Sequence, residues 1–246
     1  MTRILLFALA AGFGGLLVVA PAHADWTDDA ERCYALAYDA RAGVEACTRA
    51  INSGQVRDAD LGALYNNRAS SYLTLGLFDK SIADATRALE ISPDDVYALN
   101  NRAIAYAGLE DFGPAMLDLD RAAELDPDDA PTFNNQCWVL GLSGMYDTAL
   151  TACNVGLALN ATDAILLATR GDIYRLKGDF ELALADLDAA VGLGPGMWET
   201  WLYRGHVHWD RGAHAAARSD YLKAHGLAPT EPEVIDALQQ SGFVPN

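Results

Sequence analysis

Positive charge is what this sequence has least of: 17 Lys and Arg stand against 34 Asp and Glu over 246 residues, a formal charge of −17. A chain this acidic repels a phosphate backbone, so nucleic acid is excluded as a partner class. Signatures of catalysis are missing too. There is no Ser-His-Asp order, no glycine-rich phosphate loop and no His-Glu-x-x-His run. The four cysteines form neither a Cys-x-x-Cys motif nor a zinc-type spacing. No enzyme, no cofactor and no metal site is expected on these grounds.

The first residues are a separate matter. Arg3 precedes an apolar run from Ile4 to Val19, and Pro21-Ala22-His23-Ala24-Asp25 follows. This is the pattern of a secretory leader with a small-x-small cleavage site after Ala24. The run is short for a spanning helix and has no basic flank on its far side. Retention as a membrane anchor is the alternative; with cleavage, no membrane span is expected in the remainder. Cysteine is absent from the cleavage point, which argues against a lipoprotein. Losing residues 1 to 24 removes Arg3 and no acid, leaving 16 basic residues against 34 acidic, a net of −18. Export to a periplasm, or secretion, is the expected destination.

What the sequence does contain is repetition. Tyr65-Asn66-Asn67-Arg68-Ala69 returns as Leu99-Asn100-Asn101-Arg102-Ala103 and as Phe133-Asn134-Asn135-Gln136-Cys137, each copy 34 residues after the last. The step continues to Leu167-Ala168-Thr169-Arg170-Gly171 and Trp201-Leu202-Tyr203-Arg204-Gly205. Five units follow: 62–95, 96–129, 130–163, 164–197 and 198–231. Position eight is always small (Ala69, Ala103, Cys137, Gly171, Gly205), as are position twenty (Ser81, Ala115, Ala149, Ala183, Ala217) and position twenty-seven (Ala88, Ala122, Gly156, Ala190, Ala224). Small residues there suit two closely packed helices. Position eleven is Tyr72, Tyr106, Leu140, Tyr174 and His208; position thirty-two is Pro93, Pro127, Ala161, Pro195 and Pro229, where proline stops the second helix.

This pattern resembles the tetratricopeptide repeat (TPR) family, whose 34-residue helix-turn-helix unit has small residues at positions 8, 20 and 27, an aromatic at 11 and proline at 32. The resemblance covers residues 62–231 and implies an all-α fold, an α-solenoid of helix-turn-helix repeats. Ahead of it, residues 25–54 read as a divergent helical hairpin, with Cys33, Leu36 and Ala37 on one apolar face and Val44, Cys47, Ala50 and Ile51 on the next. Gly54 ends that hairpin, and a polar connector from Gln55 to Asp60 follows. Beyond the array, residues 232–246 read as a C-terminal capping helix and tail. Thr230 and Glu233 have the form of a capping box, and Val234, Ile235 and Leu238 cover the exposed apolar edge of the last repeat.

Position seven is Arg68, Arg102, Gln136, Arg170 and Arg204; position twenty-three is Asp84, Asp118, Ala152, Asp186 and Asp220. Both members are lost together in the third unit. The expectation is an ion pair between the two helices of a hairpin: Arg68–Asp84, Arg102–Asp118, Arg170–Asp186 and Arg204–Asp220. If partly buried, breaking one costs about 3 kcal/mol or more; if exposed, roughly 0.2 to 1 kcal/mol. Cys137 and Cys153 share the interval of 16, so the third unit exchanges one cross-link for another. Two disulfides are expected in an exported chain, Cys33–Cys47 and Cys137–Cys153, against the alternative of four buried thiols.

Histidine supplies the remaining cluster: His206, His208, His214 and His225, in or beside the fifth unit. His206 and His208 diverge around a helix, His208 takes the buried eleventh position and His214 the turn, so core and surface roles are preferred to a metal site. Asp94-Asp95 and Asp128-Asp129 stand where helices begin and are read as caps.

The family resemblance implies that the first helix of each unit lines a concave groove, chiefly through positions 2, 5, 6, 9, 12 and 13. Carried onto this chain, the candidates are Asn66, Asn67, Tyr97, Asn100, Asn101, Asn134, Asn135, Trp138, Arg175, Tyr203, His206 and Trp209. A row of amides offers donors and acceptors to an extended peptide backbone, and the aromatics offer anchors. The family's basic clamp for C-terminal carboxylates is not matched, since Asn66, Ser70, Pro131 and Asn135 occupy its places and only Asn101 fits. The expected function is a non-enzymatic, monomeric scaffold or adaptor that binds a protein or peptide partner in that groove. A structural component of an envelope complex that works through its acidic outer face is the alternative, and a metal or ligand carrier at the fifth unit a third reading.

Overall fold

Thirteen helices make up the computed structural model over its described residues, 26–35 and 39–242. The leader lies outside the described residues, as do Leu36 and Ala37 of the opening face and residues 243–246 of the tail. Contacts divide the chain into two compact units between Asp128 and Asp129. The first holds α1 (Trp26–Ala35), α2 (Ala40–Asn52), α3 (Asp58–Thr74), α4 (Phe78–Ile91), α5 (Val96–Gly108) and α6 (Phe112–Leu125). The second holds α7 (Ala130–Leu142), α8 (Tyr146–Leu159), α9 (Ala164–Lys177), α10 (Phe180–Leu193), α11 (Trp198–Asp210), α12 (His214–Leu227) and α13 (Pro232–Gln240).

In the second, third and fourth repeats the first helix begins where an acidic side chain satisfies free backbone donors. Asp95 Oδ1 accepts from the amides of Tyr97 and Ala98 at 3.0 and 3.2 Å, Asp129 Oδ2 from Thr132, and Asp163 Oδ1 from Ile165 and Leu166. Asp94, read as a cap partner, is instead bonded to Arg121 at 2.8 Å. Helix α3 starts inside the expected connector, at Asp58, where Asp58 and Asp60 suit the positive end of the helix dipole. At the C-terminal cap the expected box does not form: Glu231, with no side-chain cap bond, precedes Pro232 at the first helical position. The turn inside the hairpin uses the left-handed conformation at Gly76, Gly144, Gly178 and Gly212; in the second repeat Glu110 adopts it at φ 61°.

In both units the two helices of a hairpin pack on each other, and first helices also pack side by side: α3 on α5, and α9 on α7 and α11. Positions twenty (Ser81, Ala115, Ala149, Ala183, Ala217) are all inaccessible to solvent. At two position-eight sites the side chain 16 residues on comes too close for a Cβ. A Cβ on Gly171 would lie 2.7 Å from Leu187 Cγ, and one on Gly205 would lie 2.5 Å from the Tyr221 ring. Where the partner is Ala85 or Leu119, an alanine fits; at Gly171 and Gly205 the partner's approach leaves room only for glycine. Helix α13 buries Val234, Ala237 and Leu238 and packs on α12.

Candidate functional site

Position seven carries the first set of candidates. Arg68 Nε and Nη2 donate to the two carboxylate oxygens of Asp84 at 2.6 and 2.9 Å, and Arg102 does the same to Asp118 at 2.7 and 2.7 Å. Arg170 meets Asp186, both bonds at 2.7 Å, and Arg204 meets Asp220, both at 2.8 Å. The aspartates retain no more than 11% side-chain exposure. Bidentate, dry pairing of this kind is the strong form of the interaction. The hydrogen bond to Asp84, Asp118 or Asp186 outweighs desolvation and raises the guanidinium pKa in each case.

The sequence did not reveal the third bond of each arginine. Arg68 Nη1 donates to Thr48 of the preceding hairpin at 2.9 Å, Arg102 to Thr86 at 3.2 Å, Arg170 to Asn154 and Arg204 to Asp188, both at 2.7 Å. One guanidinium thus joins three helices. Aromatic rings complete the joint, with Tyr72 and Tyr65 near Arg68, Tyr174 near Arg170 and Trp201 at 4.8 Å from Arg204. In the third hairpin of the array the structure joins Cys137 to Cys153, Cα atoms 5.1 Å apart; Cys33 is joined to Cys47 at 4.7 Å.

The inner face differs between the two units. In the first, Asn101 Nδ2 donates to Asn66 Oδ1 at 2.7 Å, and Asn100 Nδ2 to the Val96 carbonyl at 2.9 Å. Asn67 has a buried Nδ2 with no hydrogen-bond partner, while Tyr97 stands 65% exposed at the start of α5. In the second unit Asn134 and Asn135 are buried. Of the expected row of amides, Asn100, Asn134 and Asn135 are more than nine-tenths buried, and Asn66 and Asn101 bond to each other. Burial does not follow the position number: Asn66, at position five like Asn100 and Asn134, is only half-buried, and Asn135 at position six is buried.

Trp138, Gly141, Leu142, Thr169, Asp172, Ile173, Leu176 and Tyr203 line a pocket in the second unit. Beside it lies a charged triad. Arg175 Nε donates to Asp172 Oδ1 at 2.7 Å and Nη1 to Asp210 Oδ2 at 3.1 Å. Burial opposes the charge on Arg175, and Asp172 and then Asp210 more than offset it. His206 contacts the Tyr221 hydroxyl through Nδ1 at 3.1 Å, and burial, with Arg175 second, lowers its pKa to about 4. Trp209 stacks at a tilt on His214, 4.4 Å between ring centres. His208, expected to be buried, keeps 22% side-chain exposure and lies 3.7 Å from Asp220. His206, His208 and His214 thus go to different partners, and His225 Nδ1 is buried without a hydrogen bond. Among the described residues no group of three or more His, Cys, Asp or Glu is placed to hold a metal, and no helix is long and apolar enough to cross a membrane.

Leu176 and Asp210 both stand at position thirteen, so the repeat frame contained the signal for them. Ile173, at position ten, had none.

Helical hairpins stacked through shared side-chain joints, with an inner face built from their first helices, define an all-α solenoid scaffold. The tetratricopeptide repeat model matches residues 66–130 and 169–232, and the chain belongs to that family. A tetratricopeptide repeat protein from Parabacteroides merdae is similar in structure, with 20% identity, 88% of this chain and 84% of that one covered, and a TM-score of 0.75. A thermophilic TPR protein of Thermus thermophilus is 21% identical over 74% of this chain and 100% of its own, TM-score 0.68. PilW, a type IV pilus biogenesis factor, is 20% identical over 74% and 89%, TM-score 0.63. At these identities the likeness is one of fold. No curated protein matches the chain.

Proposed function

We propose that this chain is an exported adaptor that binds an extended segment of a partner protein along the inner face of its hairpins and carries out no reaction. A scaffold for protein–protein contact is what the family and fold provide; the face used and the compartment are the proposal. One observation carries it: the pocket of Trp138, Leu142, Ile173, Leu176 and Tyr203 offers concave apolar surface to an incoming side chain. Aromatic residues in such a hollow are the usual anchors of an interface. Export is supported by the apolar run Ile4–Val19 ahead of Pro21-Ala22-His23-Ala24 and by cysteines that pair within hairpins.

The test is site-specific photo-cross-linking of the full chain in its own cell envelope. A cross-linker at Leu142, in the pocket, is compared with one at Leu117, 73% exposed on α6. Partner adducts from Leu142 are expected. Adducts from Leu117 alone would transfer the function to the outer surface and sink the groove reading.

A further inference from the structure

The pocket in the second unit has a chemistry of its own, and a ligand class follows from it. We infer that it takes an aliphatic side chain from a partner segment whose flanking residues are basic. This rests on the groove reading above and adds the identity of what the groove selects.

The aliphatic half comes from the walls. Trp138, Leu142, Ile173, Leu176 and Tyr203 present carbon, and Trp138 and Tyr203 are fixed in place by near-complete burial. The hollow measures about 20 Å³, little more than one water-sized sphere. That seats a single methyl end of Leu, Ile or Val and cannot enclose an indole or phenol ring.

The basic half comes from the triad at its edge. Asp172 lines the pocket and shares the single guanidinium of Arg175 with Asp210. Two carboxylates on one cation leave a net negative charge in this cluster, one member of which, Asp172, lines the pocket. His206 beside them stays neutral at physiological pH, because burial holds its pKa near 4, so it adds no compensating charge. Asp210 keeps 37% side-chain exposure and can meet an incoming ammonium or guanidinium. Other cations of this unit are engaged: Arg170 with Asp186, Lys177 with Asp147, Arg204 with Asp220 and Asp188, and Arg211 with Glu181. Residues 129–242 carry 14 Asp and Glu against 7 Lys and Arg. A basic segment is therefore drawn to this face and an acidic one repelled.

Short fluorescent peptides test it, with a central Leu flanked by Lys, a central Leu flanked by Glu, and a central Ser flanked by Lys. Each is titrated by anisotropy against the mature chain and against the variants Leu142→Gln and Asp210→Asn, whose folding is checked by circular dichroism. The Lys-flanked Leu peptide is expected to bind about tenfold or more tighter than the Glu-flanked one at low salt, with the ratio shrinking as salt rises. Asp210→Asn narrows that ratio, Leu142→Gln weakens both Leu peptides, and the Ser peptide binds poorly. If both Leu peptides bind equally and Leu142→Gln weakens both, the groove reading stands and the preference for a basic segment falls. If no Leu peptide binds, or Leu142→Gln changes nothing, the groove reading falls and takes this inference with it. A concentration-dependent dimer in sedimentation that Leu142→Gln abolishes would assign the pocket to a second copy of the chain and overturn the basic-segment proposal.

Discussion

Hairpins α7–α8 and α9–α10 follow one another in the second unit and share a backbone plan, yet different bonds hold them. In α9–α10 the link is Arg170 on Asp186, with Asn154 of α8 as third partner. In α7–α8 position seven is Gln136, its counterpart is Ala152, and the link has moved one residue on, to Cys137 and Cys153. The arginine joint couples a hairpin to the one before it, whereas the disulfide acts only within its own. The repeat thus fixes where a cross-link must be, at an interval of 16, and leaves its chemistry open.

The comparison breaks most sharply at the buried pair. Arg170→Ala or Asp186→Ala is expected to lower stability by about 3 to 5 kcal/mol in urea unfolding, since each leaves a charge unpaired away from water. The double variant should lose less than the sum; additive losses would remove the pairing. Next comes Cys137→Ala/Cys153→Ala, which should cost about 3 kcal/mol through the freed loop. In that background Gln136→Arg/Ala152→Asp should recover part of the loss, and no recovery would show that the two links are not interchangeable. Gly205→Ala is expected to cost roughly 1 to 3 kcal/mol by thermal melting, because its methyl meets the buried Tyr221 ring. Tyr221→Ala, which reproduces the combination of Ala69 with Ala85, should cost less in the Gly205→Ala background than in the wild type.

The smallest effect concerns pH. Glu233, near Glu231, Asp236 and Glu199, has its pKa raised to about 7, first by burial and then by those acids, and one of its oxygens is buried without a partner. A carboxyl with a raised folded pKa binds more protons folded than unfolded, so its contribution to stability falls as pH rises from about 4.5 through 7. Glu233→Gln should therefore stabilise the chain at pH 8 relative to wild type by about 1 kcal/mol, partial exposure screening the rest, and have little effect at pH 4. His206 acts in the opposite sense: its depressed pKa means that stability falls as pH drops from about 6.5 to 4. Equal responses of Glu233→Gln at pH 4 and pH 8 would discount the α13 carboxyl.

Much of this was readable from one sequence because the five units act as internal controls. Arg68 with Asp84 and Arg170 with Asp186 stand out only because Gln136 and Ala152 change together. The match between positions eight and twenty-four was not readable in this way, because Leu119 accepts Ala103 while Leu187 meets Gly171, and only the approach of the two helices separates the cases. The capping box was misread because Pro232 takes the first helical position, which makes Glu231, not Thr230, the residue before the helix. The inner face was the least readable. A position number says that Asn100 or Asn135 is on a first helix, but its solvent access depends on how closely the neighbouring helix approaches.

By itself the sequence determined the all-α repeat, its 34-residue step and the 16-residue interval of each cross-link, because these are local periodicities that any unit must satisfy to close its own hairpin. Tertiary structure decided the third bond of every arginine, whose acceptors Thr48, Thr86, Asn154 and Asp188 share no side-chain chemistry beyond an oxygen. It also decided that Asp172 and Asp210 hold one Arg175 beside an apolar pocket, since those partners come from neighbouring first helices and meet only when α9 and α11 pack.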